Sequence, residues 1–155
     1  MNIQLIVHSQ TGNTLFVANA LKTAVESINP DINLTHVEAN NEREMDVNKI
    51  AISKLPDCSG ADLIVIGAPV RGANASPAIL KTIDTLGSME GKKCVVFTTE
   101  FFPFDWMGGQ RAVTKMEKEL TARGAQVVSH AIIHWKRKDL TQQIDHLITD
   151  LKALL

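Results

Sequence analysis

Apolar and polar positions alternate along this chain in two rhythms. Ile3, Leu5, Ile6 and Val7 form a short apolar run, too short for a globular helix and right for a buried strand. The next stretch, His8-Ser9-Gln10-Thr11-Gly12-Asn13-Thr14, carries hydroxyls, amides and one glycine but no Lys, Arg, Asp or Glu. Thr14, Ala18, Leu21, Val25 and Ile28 then recur at helical spacing, which predicts an amphipathic helix. Asn29-Pro30-Asp31 stops it, and Ile32 to Glu38 alternates as a second strand. Val47, Ile50, Ile52 and Leu55 predict a short, irregular helix from Asp46, ended by Pro56. Ala61 to Ala68 is an almost unbroken apolar run, the mark of a strand covered on both faces.

The second half repeats the alternation. A loop over Pro69 to Ala75 leads to Ser76-Pro77, an N-cap followed by proline at the first helical position. Ile79, Leu80, Ile83 and Leu86 carry that helix, and Cys94 to Thr98 is a fourth strand. A third loop, Thr99 to Gly109, is rich in aromatics and holds a Gly108-Gly109 pair. A helix follows through Val113, Met116 and Leu120, with Gly124 as its C-terminal glycine. Ala125 to His134 reads as a fifth strand and Trp135 to Lys138 as a basic turn. Asp139 is the expected N-cap of a last helix through Leu140, Ile144, Leu147, Ile148, Leu151 and Leu154. Five strands alternating with five helices imply a parallel sheet with helices on both faces. Right-handed crossovers then gather the strand-to-helix loops at one sheet edge, where such sheets bind ligands.

Composition narrows the function. The 155 residues suit one domain, by the prior of roughly 100–200 residues per domain. A net charge of −1 gives no field that favours nucleic acid or a membrane surface. No apolar stretch approaches the roughly 20 residues of a membrane helix. Met1-Asn2 passes straight into the first strand without a basic leader, so a cytoplasmic protein is expected. Cys58 and Cys94 are too few for a disulfide framework. His130 and His134 share a strand face, but no acid or cysteine stands beside them in sequence, so no metal site is expected.

The loops carry the chemistry. The first lacks the lysine of a nucleotide-hydrolysing P-loop and the repeated glycines of a dinucleotide site. What remains suits a terminal monophosphate, held by the Ser9, Thr11 and Thr14 hydroxyls, the Asn13 amide and backbone N–H groups at a helix start. A helix start capped by those same side chains fits the residues equally well. Gly72 and Gly108-Gly109 let backbone approach a flat ligand. Phe101, Phe102, Phe104 and Trp106 fall within six positions in a chain of five Phe, two Trp and no Tyr. Such a cluster either stacks on an aromatic ligand or forms an apolar contact patch.

Taken together these motifs resemble the flavodoxin family. Its N-terminal signature is two aliphatics, an aromatic, any residue, Ser or Thr, two of any, a small residue, any residue and Thr. Leu5 to Thr14 departs from it only at Val7. The resemblance implies a flavodoxin-like doubly wound α/β sandwich over residues 1–155, with a five-stranded parallel sheet of order 2-1-3-4-5. It implies FMN as cofactor, with Ser9, Gln10, Thr11, Gly12, Asn13 and Thr14 on the phosphate. Pro69, Val70, Arg71 and Gly72 resemble the second flavin loop, whose glycine carbonyl meets the flavin N5, with Arg71 where a stacking tryptophan often stands. Thr99, Glu100, Phe104, Trp106, Gly108 and Gly109 match the third loop. Phe104 falls at the stacking position and Trp106 replaces it if the loop shifts.

The function implied is a monomeric or weakly dimeric electron carrier, shuttling low-potential electrons between a reductase and an acceptor enzyme. Two alternatives stand beside it: an FMN-dependent NAD(P)H or quinone reductase, and a flavodoxin-like interaction domain that has lost FMN. Flavodoxins are mostly strongly acidic, whereas this chain is nearly neutral and sets Lys136-Arg137-Lys138 on the functional edge.

Overall fold

The computed structural model describes all 155 residues. The strands are β1 (Ile3–His8), β2 (Ile32–Ala39), β3 (Ile52–Ser53), β4 (Leu63–Arg71), β5 (Asn74–Ala75), β6 (Lys93–Glu100) and β7 (Gln126–His134). The helices are α1 (Asn13–Glu26), α2 (Pro77–Asp84), α3 (Gly109–Ala122) and α4 (Leu140–Lys152). β2, β1, β4, β6 and β7 run parallel in that spatial order. These are the five expected strands in the expected order 2-1-3-4-5, on a flavodoxin-like α/β scaffold. No helix is long and apolar enough to cross a membrane.

Two short strands extend this sheet to seven. β3 pairs antiparallel with the edge strand β2, and β5 folds back on β4. The helix expected from Asp46 to Leu55 is absent: that segment is a single 3-10 turn over Val47–Lys49 followed by β3. The Asp46 carboxylate accepts the Asn48 N–H at 3.0 Å, which closes the turn. The Asn40 N–H then bonds the Ala51 carbonyl at 3.0 Å, which draws the chain to the sheet edge. Ile50 is buried and Ile52 packs on the core, while Leu55 is exposed, so four α-helices stand where five were expected. α1 likewise ends at Glu26, before Ile28, which is exposed.

Alternation along the strands sorts the core into two layers. Ile64 and Ile66 of β4 face α2 and α3, against Ile79, Ile83, Val113 and Met116. Leu63 and Val65 face α1 and α4, against Val17, Leu21, Ile144 and Leu147. Central strands buried on both faces explain the unbroken apolar runs. Gly67 is the exception in that run because the Phe97 ring lies directly over it, where a Cβ would fall within the ring. The caps read from sequence hold in part. Ser76 Oγ accepts the Ile79 N–H at 3.4 Å, and Gly124 takes the left-handed position beyond α3. Asp139 makes no such cap bond at the start of α4.

Candidate functional site

The loops after β1, β4 and β6 meet at the C-terminal edge of the sheet. They wall a cleft of about 170 Å³ lined by Gln10, Thr11, Asn13, Pro69, Val70, Arg71, Thr99, Glu100 and Phe101. All nine are residues singled out from the sequence, Phe101 as a member of the aromatic cluster and the other eight as matches to the flavin loops. A bond between the Thr14 and Thr99 hydroxyls, 2.7 Å and buried, fastens the first loop to the third.

The first loop divides its labour between side chains and backbone. Ser9 Oγ accepts the Leu15 N–H at 3.2 Å, so that hydroxyl serves the helix start. Gly12 holds the cap position and its carbonyl accepts the Phe16 N–H at 2.9 Å. The amides of Gln10, Thr11, Gly12, Asn13 and Thr14, by contrast, donate to no acceptor within the protein. Successive free N–H groups at the positive end of a 14-residue helix are the kind of donor set that can receive an anion. Ser9 thus serves the helix start, as one of the two sequence readings expects, while the amides stay open as donors.

The second loop is a hairpin rather than an open loop. Gly72 and Ala73 both take φ +58° between β4 and β5, the left-handed pair that a type I′ turn requires. Gly72 is exposed at the tip. The Arg71 guanidinium reaches sideways, donating to the Glu42 carbonyl at 2.7 Å, and Gln10 Nε2 donates to the same oxygen at 3.1 Å. Beneath them His8 is fully buried, with Nδ1 2.7 Å from Ser76 Oγ and Nε2 2.8 Å from Glu42 Oε2. Burial pushes the His8 imidazole below its ordinary value of 6.5, against the pull of Glu42. Burial raises Glu42, but the Ala39 amide and His8 outweigh it and hold the carboxylate below its ordinary range. The segment 39–44, unpatterned in sequence, is thus the brace behind the first two loops.

The third loop presents its aromatics to solvent. Phe104 and Trp106 stack on each other, centroids 5.9 Å apart and planes within 8°, and neither lines the 170 Å³ cleft. Lys136 Nζ stands 4.7 Å over the Phe101 ring. Gly108 lies under the hairpin, where a Cβ would strike Val70. Gly109 opens α3 against Glu100 and Ile132, where a Cβ would strike the Glu100 carboxylate. Trp106 and Gly108 border a second, open cleft of about 580 Å³, which Arg111, Lys115 and Lys118 of α3 line together with Ala73 and Asn74.

Glu100, at the end of β6, is only 2 % exposed and neither carboxylate oxygen has a hydrogen-bond partner. Burial pushes its carboxyl above the ordinary range; the Gly109 amide lies near without an aligned bond. His134, its register partner on β7, stands 3.5 Å away, with Asp105 at its other nitrogen. The acids missing beside His134 in sequence thus reach it through strand register and the third loop.

A parallel 2-1-3-4-5 sheet with an open-amide loop at the head of α1 is the flavodoxin-like architecture, and this chain adopts it. Flavodoxin 2 from Bacillus cereus is 17% identical and superposes with a TM-score of 0.72 over 100% of both chains. A flavoprotein in complex with FMN from Lactobacillus acidophilus is 17% identical, with a TM-score of 0.64 over 84% of this chain and 92% of its own. An azoreductase from Bacillus anthracis is 12% identical, with a TM-score of 0.63 over 99% of this chain and 98% of its own. The sequence matches no protein-family model and no curated protein.

Proposed function

We propose that this protein binds FMN at the three-loop edge and carries electrons between redox partner proteins. The observation that carries the reading is the set of free amides from Gln10 to Thr14, a nest shaped for a terminal phosphate. The Thr11 hydroxyl and Asn13 amide stand beside these donors on the cleft wall. The flavin-bearing neighbour of the same fold supports the choice of ligand. When bound, the flavin supplies the redox chemistry; the chain binds it, orients it and excludes water.

The fit at the ring end follows from size. A cleft of about 170 Å³ is below the roughly 300–1,000 Å³ of most small-molecule sites. The phosphate end enters, and the ring lies outward along the hairpin and the exposed aromatic segment. Gly72, Thr99 and Glu100 are its expected backbone and polar neighbours, with Phe101, Phe104 or Trp106 as the stacking surface. The purified chain is expected to be yellow, and heat to release FMN rather than FAD. A colourless preparation that fails to bind added FMN overturns the proposal.

One observation favours a second reading, a flavin-dependent reductase. The 580 Å³ cleft beside Trp106 presents Arg111, Lys115 and Lys118, cations suited to the phosphates of a nicotinamide nucleotide. Rapid reduction of bound FMN by NADPH with no other protein present would select this reading over the carrier.

A further inference from the structure

Hydrogen-bond acceptors crowd around one imidazole at the end of β6 and β7. His134 is 4 % exposed. Its Nδ1 lies 2.9 Å from the Phe102 carbonyl and 3.5 Å from Glu100 Oε2, and its Nε2 lies 2.5 Å from Asp105 Oδ1. Its backbone is clamped by Gln143 of α4, which accepts the His134 N–H at 2.7 Å and donates to its carbonyl at 3.2 Å. No lysine or arginine pairs with Glu100 or Asp105; His134 is the only partner of either. Two carboxylates and a carbonyl thus surround a single titratable ring. The two Glu100 oxygens are buried and unbonded, and an unpaired buried carboxylate is costly.

We propose that this cluster is a binding site for one divalent first-row transition-metal ion, with Glu100, His134 Nδ1 and the Phe102 carbonyl as ligands. Asp105 is the positioning residue: it accepts the Nε2–H and holds the ring, and the ion takes the place of the Nδ1 proton now directed at the Phe102 carbonyl. This is the carboxylate–histidine–metal arrangement common to such sites. Bonds of about 2.0–2.2 Å to nitrogen and oxygen set ligands roughly 3–3.5 Å apart. The 2.9 Å and 3.5 Å separations from Nδ1 bracket that range. One atom from each of Glu100, Asp105 and His134 already lies within 4.8 Å of the others. A dication with two carboxylates and a neutral imidazole leaves the cluster uncharged.

The donor set selects the metal. Imidazole with carboxylate and carbonyl suits Zn²⁺, Mn²⁺ or Fe²⁺; Mg²⁺ and Ca²⁺ prefer oxygen alone, and Cu⁺ prefers sulfur. Cys58 and Cys94 take no part, being buried thiols pushed up to about 11 and about 12. The ligands all belong to the chain, so the site does not require bound flavin, although Glu100 also lines the flavin cleft. Its structural consequence is a tie between the aromatic third loop and the ends of β6 and β7.

The test is titration of the full chain, stripped with chelator, with Zn²⁺ by calorimetry and with Co²⁺ by visible absorption at pH 7.5. One ion per chain is expected to bind, with a Co²⁺ d–d band and a Zn²⁺-dependent rise in melting temperature. Glu100→Gln and His134→Gln are expected to abolish binding, and Asp105→Asn to weaken it about 10–100-fold. Asp105 is 58% exposed as a side chain, so its variant folds and keeps the test decisive even if a buried substitution does not. His130→Ala and His146→Ala, which remove the exposed pairs with Glu117 and Asp150, are expected to bind as the parent does. No stoichiometric binding, or binding unchanged in Glu100→Gln, His134→Gln and Asp105→Asn alike, overturns the site.

Discussion

His8 shows how one buried ring adds a pH dependence to the stability of the molecule. Ser76 Oγ accepts the Ile79 N–H, so its own proton points to His8 Nδ1, and His8 Nε2–H donates to Glu42. That chain of donors is complete with a neutral ring, and burial holds the folded-state value below 6.5. Unfolded, the ring takes up its proton as pH falls through about 6.5, while the folded ring still refuses it. The unfolded state then binds more protons, so stability falls as pH drops below about 6.5 and down to the folded value. Above about pH 7 this group contributes no slope. One proton gives at most about 1.4 kcal/mol per pH unit. Urea unfolding from pH 5 to 8 is expected to show this loss in the parent. His8→Gln is expected to be less stable throughout but to lack that part of the slope; parallel profiles would sink the assignment.

The β4–β5 hairpin carries strain that a substitution can relieve. Ala73 sits at φ +58°, where an L-residue costs roughly 1–2 kcal/mol. Glycine avoids that cost but loses about 0.5–1 kcal/mol more chain entropy on folding. Ala73→Gly is therefore expected to stabilise by about 0.5–1 kcal/mol, a rise of about 1–4 °C in melting temperature at this chain length. Destabilisation in thermal unfolding would refute the turn geometry. The hairpin also marks where the sequence stops being legible. Long strands and helices announce themselves by period, and β1, β4 and β6 were plain. β3 and β5 have two residues each, too few for any period to register. Val47 and Ile50 imitate a helical spacing, and only pairing with the distant Asn40 and Ala39 reveals a strand edge. The amide nest was legible because its residues are consecutive. The pairing of Glu100 with His134 was not, because only the β6–β7 register brings the two together.

At the scale of the whole molecule, the flavin reading makes a claim about electrostatics. The nest is built of backbone donors in a segment with no Lys, Arg, Asp or Glu, and Arg71, the nearest cation on the cleft wall, is bonded to the Glu42 carbonyl. The loops are braced to one another through Thr14–Thr99 and through Gln10 and Arg71 on Glu42. The donors are thus already in place before a phosphate arrives, and little ordering cost remains at binding. Two consequences separate this from an ion-paired site. Affinity for FMN is expected to change by no more than about threefold between 50 and 500 mM salt, since no side-chain ion pair holds the phosphate and so none is lost to screening. Riboflavin, which lacks the phosphate, is expected to bind at least ~100-fold more weakly, because the five amides then regain only water. Thermal unfolding reads both effects, since a ligand at 100 times its Kd adds about 2.7 kcal/mol to stability. FMN is expected to raise the melting temperature at either salt concentration, and riboflavin at the same concentration to leave it nearly unchanged. Equal protection by the two flavins would mean that the ring loops alone hold the ligand, and that the amides from Gln10 to Thr14 are only a solvated helix start.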